Sequence, residues 1–223
     1  MPRTIDELMS DDSAWPILLD LIADSPHDVK VVEADEPSRT AALLATQVTT
    51  RSMLGAMAWN CGMVAIDHGW IRLVGAGVGK LQGLHPSRLN DIEGGAEFDG
   101  VIVAYDVLGG RFAIHGGGLG DVPPGEIIYW APDSLAWESL GMGHSALVEY
   151  LLSEKLADFY ADLRWAGWEG DSDAVALDHG LSAYPFPWTV EGRGPDVSRK
   201  AVPMAELIGI AEQAAGELRG QTH

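Results

Sequence analysis

Cysteine is almost absent: Cys61 is the single thiol among 223 residues. One thiol makes no internal disulfide, so the fold needs no oxidising compartment, and a zinc site built on several cysteines is excluded. Positive charge is scarce as well. Lys and Arg total 14 against 33 Asp and Glu, a formal net charge of −19. Phosphate backbones and anionic membranes are bound by cationic patches, so neither nucleic acid nor a membrane surface is an expected partner. A basic protein suits this balance better. No apolar run is long enough to span a bilayer, and "MPRTIDELMSDDSAW" lacks the basic start and apolar stretch of a signal peptide. No His-x-x-x-His or Glu-x-x-His spacing occurs, which removes the usual metal-binding helix face. These absences predict a soluble cytoplasmic protein with no metal and no cofactor. They carry no signal for its oligomeric state.

What is present suffices for a sizeable core, since apolar residues make up 47 % of the chain. Thr4 and Glu7 have capping-box spacing, and Asp12 or Ser13 precedes a helical stripe of Ile17, Leu18, Leu21 and Ile22. "VKVV" (29–32) reads as a strand, and Ser38 as the cap of a helix reaching about Gln47. From Leu54 the texture becomes β: "GAMAW", "GMVAIDH" and "WIRLVG" are short apolar runs between Gly or Asn. "DIEGGAEFDG" reads as a turn-rich interruption. Residues 101–106 and 111–115 form one hairpin, with Phe112 and Ile114 on one face, and 126–131 with "AWESL" form a second. Helix returns after Gly143, with a break at Ser153. The segment 166–202 is aromatic-rich and irregular, and a final helix covers 203–219, with Met204, Leu207, Ile208, Ala211 and Leu218 on one side. The prediction is a single α+β domain over 1–223, with an antiparallel meander sheet flanked by helices.

Three motifs invite a chemical reading. "GAGVGK" (75–80) approaches a phosphate loop, but Val74 stands where the P-loop's first Gly belongs and Leu81 replaces the Mg²⁺-binding hydroxyl. Lys80 stands where a dinucleotide loop has its third Gly, and Gly83 and Pro86 interrupt the helix both motifs require. His115-Gly116-Gly117-Gly118 matches an esterase oxyanion element. Its expected elbow fails because Leu147 occupies the position two after Ser145 that must be Gly. The glycine run is expected to be a hairpin exit at positive φ, and Ser145 a cap or first-turn residue. Asp67-His68 and Asp178-His179 place carboxylate beside imidazole, but neighbours on a strand face opposite ways and need not interact. A cluster of His68, His115 and a carboxylate stays open.

"QVTTRSMLGAMAWNCG", "IDHGWIRLVGAG", "GGRFAIHGGGLG", "IIYWAPDSLAWESLG", "FYADLRWAGWEG" and "YPFPW" resemble, in order, the blocks of a bacterial family of unknown function over roughly residues 5–190. The resemblance points to Arg51, Asp67, His68, Gly69, Trp70, the Gly116–Gly118 run, Pro132, Asp133, Trp137, Arg164, Trp165 and Trp168. It implies no activity. The two-hairpin core followed by helix is also similar to the SUKH (Smi/Knr-like) superfamily. Many bacterial members of that superfamily are immunity proteins that neutralise toxins. The likeness implies a non-enzymatic protein-binding module, an immunity protein with a basic toxin as partner. The alternative is an enzyme or small-ligand binder using His68, His115 and the glycine-rich loops. Candidate binding residues are Arg51, Asp67, His68, Trp70, His115 and Trp168. No catalytic residue and no metal ligand is assigned.

Overall fold

Capping chemistry shapes the first part of the chain. The computed structural model describes residues 1–91, 96–193 and 196–220. It opens with α1 (Ile5–Leu8), where the Thr4 amide donates to the Glu7 carboxylate at 2.7 Å. In α2 (Trp15–Ala23), Ser13 accepts from the Trp15 amide and Pro16 lies in the first turn. The strand β1 (Val29–Val32) follows. The cap of α3 (Glu36–Thr46) is Asp35 rather than Ser38: its carboxylate accepts from the Ser38 amide at 2.7 Å. Pro37 then falls in the first turn, where no partner for its missing N–H is needed.

The "GAMAW" run is helical, not β. It belongs to α4 (Met53–Asn60), capped by Ser52, which accepts from the Gly55 amide at 3.1 Å. Met53, Ala56, Met57 and Ala58 are all buried. A helix that is apolar nearly all round shows no amphipathic period, so its sequence reads like a strand. Cys61, at its end, is buried, and burial pushes the thiol up to about 12.

The sheet itself follows the turn signals. β2 (Met63–Ile66) and β3 (Ile71–Val74) form a hairpin, and β1 pairs with β2. The short β4 (Gly77–Val78) and β5 (Leu81–Gln82) pair only with each other among the described residues. β6 (Pro86–Asp91) pairs with the first half of β7 (Ala96–Asp106), and β3 with its second half. Much of the expected interruption at 91–100 is therefore strand; residues 92–95 lie outside the described residues. β8 (Arg111–Gly117), β9 (Ile127–Trp130) and β10 (Trp137–Ser139) complete the two expected hairpins. The order is β1-β2-β3-β7-β8-β9-β10 with β6 beside β7, and every pairing is antiparallel. The fold is α+β, as the alternation predicted.

Period-two alternation sorts the two faces. Val64, Ile66, Leu73, Phe112 and Tyr129 face one core with Leu8, Leu18, Leu43 and Met57 from α1–α4. Ile114 packs on the same cluster, sharing the face of Phe112. α5 (His144–Leu151) and α6 (Lys155–Phe159) join this side through Leu147, Leu151 and Leu156, separated at Ser153 as expected. Ser145 is a first-turn residue of α5. The opposite face carries Arg111 and Trp130 against α8 (Met204–Gly220). There Arg111 donates to Glu212 at 2.6 Å and stacks over Trp130 at 4.6 Å. Along α8, Met204, Leu207, Ala211 and Ala215 are buried, whereas Leu218 is half exposed.

The segment 166–202 is more regular than its composition suggests. It contains α7 (Trp168–Asp173) and β11 (His179–Tyr184), and β11 pairs antiparallel with β12 (Ser198–Pro203). Pro203 closes that strand instead of opening the last helix. The two strands are far apart in sequence, so no tight-turn signal announces their pairing.

His144 makes a pH prediction. Both ring nitrogens are buried without a partner among the described residues, and burial pulls the imidazole down to about 4. The unfolded chain takes up this proton near pH 6.5, the folded chain only near 4, so stability from this group is present above 6.5 and lost as pH falls toward 4. The loss reaches up to about 3 kcal/mol at 1.36 kcal/mol per unit. Urea unfolding at stepped pH is expected to show this decline, and His144→Leu to flatten it. An equal slope in both proteins contradicts the assignment.

Candidate functional site

The turn between β2 and β3 is built from residues 67–70, the Asp-His-Gly-Trp block. Asp67, His68 and Gly69 take φ of 56, 58 and 72°, successive left-handed residues. Asp and His are among the few non-glycine residues that tolerate this region, which accounts for the residue choice. The Trp70 amide donates to the Asp67 carbonyl at 3.0 Å and closes the turn. The side chains then diverge, so Asp67 and His68 do not pair with each other.

Asp67 turns inward. Its Oδ2 accepts from Arg164 Nη2 at 2.5 Å, and its Oδ1 lies 3.5 Å from His27 Nδ1. The His27 Nε2 lies 2.8 Å from the Ser153 carbonyl, tying the turn to the α5–α6 junction. Arg164 belongs to the Leu-Arg-Trp-x-Gly-Trp block, so the two most specific blocks of the sequence meet at this ion pair. Its guanidinium sits 3.9 Å from the ring of Trp168 and 5.0 Å from that of Trp70. Trp70 is fully buried, with Tyr160, Trp165 and Trp168 ring centroids 5.2–5.5 Å away. Planar guanidinium stacked on indole faces is a packing device as much as an electrostatic one.

His68 turns outward. Its Nδ1 lies 2.9 Å from Asp173 Oδ2 on α7, and its ring meets the Trp168 edge at 5.8 Å. Beside it is a cavity of about 270 Å³ lined by Asp28, Lys30, Ala65, His68, Ser172, Asp173 and Leu177, among others.

Behind the turn lies a second polar group. Asp106 is completely buried, yet its carboxylate accepts from the Leu108 and Gly110 amides at 2.9 and 2.8 Å. It also accepts from the Tyr129 and Tyr160 hydroxyls at 2.7 and 3.0 Å. Burial pushes this carboxyl up against the opposing pull of those bonds. Tyr160 also packs on Trp70, which joins the two groups. Next to them Arg72, fully buried, donates to the carbonyls of Gly69, Leu177 and His179. Burial draws its guanidinium down to about 10.

Asp67, His68, Trp70 and Trp168 of the expected residues therefore come together. His115 and Arg51 do not join them. His115 pairs across to Gly100 on β7, whereas the turn at 67–70 abuts Val107 at the other end of that strand. Its Nε2 accepts from the Leu119 amide at 3.1 Å and its Nδ1 lies 3.3 Å from the Pro123 carbonyl, so it pins the loop after β8. Of the glycine run, Gly117, which ends β8, and Gly118 have the expected positive φ, whereas Gly116 lies within the strand without it. Arg51 is exposed in the link before α4. Asp178 and His179, unlike Asp67 and His68, do pair, at 2.7 Å. Asp178 precedes β11, so strand alternation does not govern it. His27 and Asp173 carry no motif; only the topology brings them to the turn.

"GAGVGK" leads into the β4–β5 hairpin, and no helix follows it. A β-carbon at Gly75 would collide with the carbonyls of Cys61 and Met57, so that glycine serves close packing on α4. The Lys80 amide already holds the Asp178 carboxylate at 3.2 Å. Calorimetry with ATP, GTP and NADH is expected to register no specific heat. Micromolar affinity that disappears in Lys80→Ala contradicts this.

The fold and this turn define an α+β protein whose two signature blocks converge on one buried arginine–carboxylate pair. The chain belongs to the family described as "Protein of unknown function DUF2625", whose model matches residues 5–207. It is 34 % identical over 212 residues to the uncharacterized protein YbfG of Escherichia coli (strain K12), covering 92 % of this chain and 94 % of that one. It is 32 % identical over 225 residues to an uncharacterized protein of Haemophilus influenzae (strain ATCC 51907 / DSM 11121 / KW20 / Rd), covering 99 % and 92 %. No solved structure matches. No helix of the described residues is long and apolar enough to cross a membrane.

Proposed function

We propose that the protein is a non-enzymatic binding module that engages a basic protein partner through the face around the 67–70 turn, in the manner of an immunity protein. One observation carries this reading. The arginine at this corner, Arg164, is consumed internally by Asp67 and the tryptophans, while Asp28 and Asp173 are exposed beside the turn, and Glu154 and Glu169 are exposed next to α6 and on α7, against the exposed cations Lys30 and Lys155. Acids thus outnumber cations there, and the net charge of −19 gives the molecule the same sign as a whole. Opposite charge steers a basic partner onto such a face, with an on-rate that falls as salt screens it.

A photo-crosslinking residue placed at Ala176, exposed on the cavity rim, tests the reading in the native cell, with Val190, 88 % exposed elsewhere, as control. The expected result is one basic protein captured from position 176 and not from 190, with yield falling at high salt. Equal capture from both positions, or a partner insensitive to salt, counts against it. The cavity beside His68 favours a second reading, a small-ligand binder.

A further inference from the structure

We propose that the cavity beside His68 binds a small zwitterion of the α-amino-acid class. The inference stands independently of the protein-partner reading. Lys30 pairs with Ala65, and Ala65 with Arg72, so the three lie in one row on one face. The small Ala65 side chain leaves a concavity between a long cation at the sheet edge and a buried one behind.

The lining supplies two opposite sets of groups. Lys30 is exposed at the mouth, and Asp28, two residues earlier, lines the same space. Across from them α7 contributes Asp173 and Ser172. Ser172 is 1 % exposed, and its hydroxyl has no hydrogen-bond partner among the described residues. Buried hydroxyls without partners are uncommon and call for an explanation, which a ligand carboxylate accepting from this O–H supplies. Arg72 holds the carbonyls of Gly69 and Leu177, both lining residues, while its Nη2 is buried without a partner. Its positive charge is balanced by the nearby Asp106 and Asp178 carboxylates, so Arg72 braces the floor from behind and does not itself line the cavity. Lys30 and Ser172 form the side that receives an anion; Asp28, Asp173 and the ring of His68 form the side that receives an ammonium. Val175, Ala176 and Leu177 add an apolar wall. A volume of about 270 Å³ admits an amino acid with a modest aliphatic side chain.

Thermal-shift and calorimetric titration of the full chain with each proteinogenic L-amino acid, at millimolar concentration, tests this. At least one is expected to bind, and blocking either its amine (N-acetyl) or its carboxyl (amide) is expected to weaken it by about tenfold, the scale of one charge-assisted contact. Lys30→Gln is expected to weaken the amino acid while leaving its decarboxylated amine unchanged, and Asp173→Asn to weaken both. Lys30→Gln also removes a positive charge from the acidic face, so it leaves capture of a basic protein intact or strengthens it. The two readings thus fail separately. No binding by any amino acid, binding indifferent to both blocked ends, or wild-type affinity in both variants overturns the proposal.

Discussion

Asp67→Ala is expected to destabilise the protein by about 3–5 kcal/mol, the scale of breaking a buried ion pair. The side chains of Asp67 and Arg164 are only 11 % and 12 % exposed, and no other carboxylate bonds Arg164 among the described residues. Removal of Asp67 leaves a guanidinium held between Trp70 and Trp168 with its charge uncompensated. His27 loses its neighbour as well. Asp67→Gly separates backbone from side chain: it relieves about 1 kcal/mol of left-handed strain yet still loses the pair. Asp67→Asn keeps the turn preference and one acceptor, and is expected to be the mildest of the three. Urea unfolding measures all of them. A loss in Asp67→Ala below about 1 kcal/mol, typical of exposed pairs, shows that solvent compensates the arginine.

Asp106→Ala is expected to be still more damaging. It orphans the Tyr129 and Tyr160 hydroxyls and the Leu108 and Gly110 amides together, at about 1–3 kcal/mol for each buried group. The sum approaches the whole stability of an ordinary domain, about 5–15 kcal/mol. The variant should therefore lose its near-ultraviolet dichroism and cooperative unfolding at room temperature. Tyr160→Phe removes one hydroxyl and leaves the carboxylate three donors, so its expected cost is about 1–2 kcal/mol. Cooperative unfolding of Asp106→Ala within about 2 kcal/mol of the wild type contradicts the network's role.

The sheet was legible because its strands are separated by glycine turns and alternate in polarity: the β2–β3, β7–β8 and β9–β10 hairpins lie where that pattern puts them. What escaped has physical reasons. α4 hid because burial on all sides erases its period. β11 and β12 hid because their pairing spans a long aromatic loop. The site was legible in part: Asp67, His68, Trp70 and Trp168 stand in dense, unusual blocks, and Asp-His before Gly is what a left-handed turn selects. His27, Asp173, Ser172 and Arg72 stand in no motif, because their roles arise from register and topology, which periodicity does not encode. His115 stands before a glycine run that reads as a hairpin exit, and it pins the loop after β8 away from the turn.

The Asp-His-Gly-Trp and Leu-Arg-Trp-x-Gly-Trp blocks act as one structural unit through Asp67 and Arg164. A double-mutant cycle tests it most directly: Asp67→Ala, Arg164→Ala and the double variant, each unfolded in urea at one pH and salt concentration. The expected coupling is about 2–3 kcal/mol, with the double variant markedly less damaged than the sum of the singles, because removing both partners leaves no buried charge unpaired. Additivity within about 0.5 kcal/mol would contradict it, since the two blocks would then stabilise the fold independently.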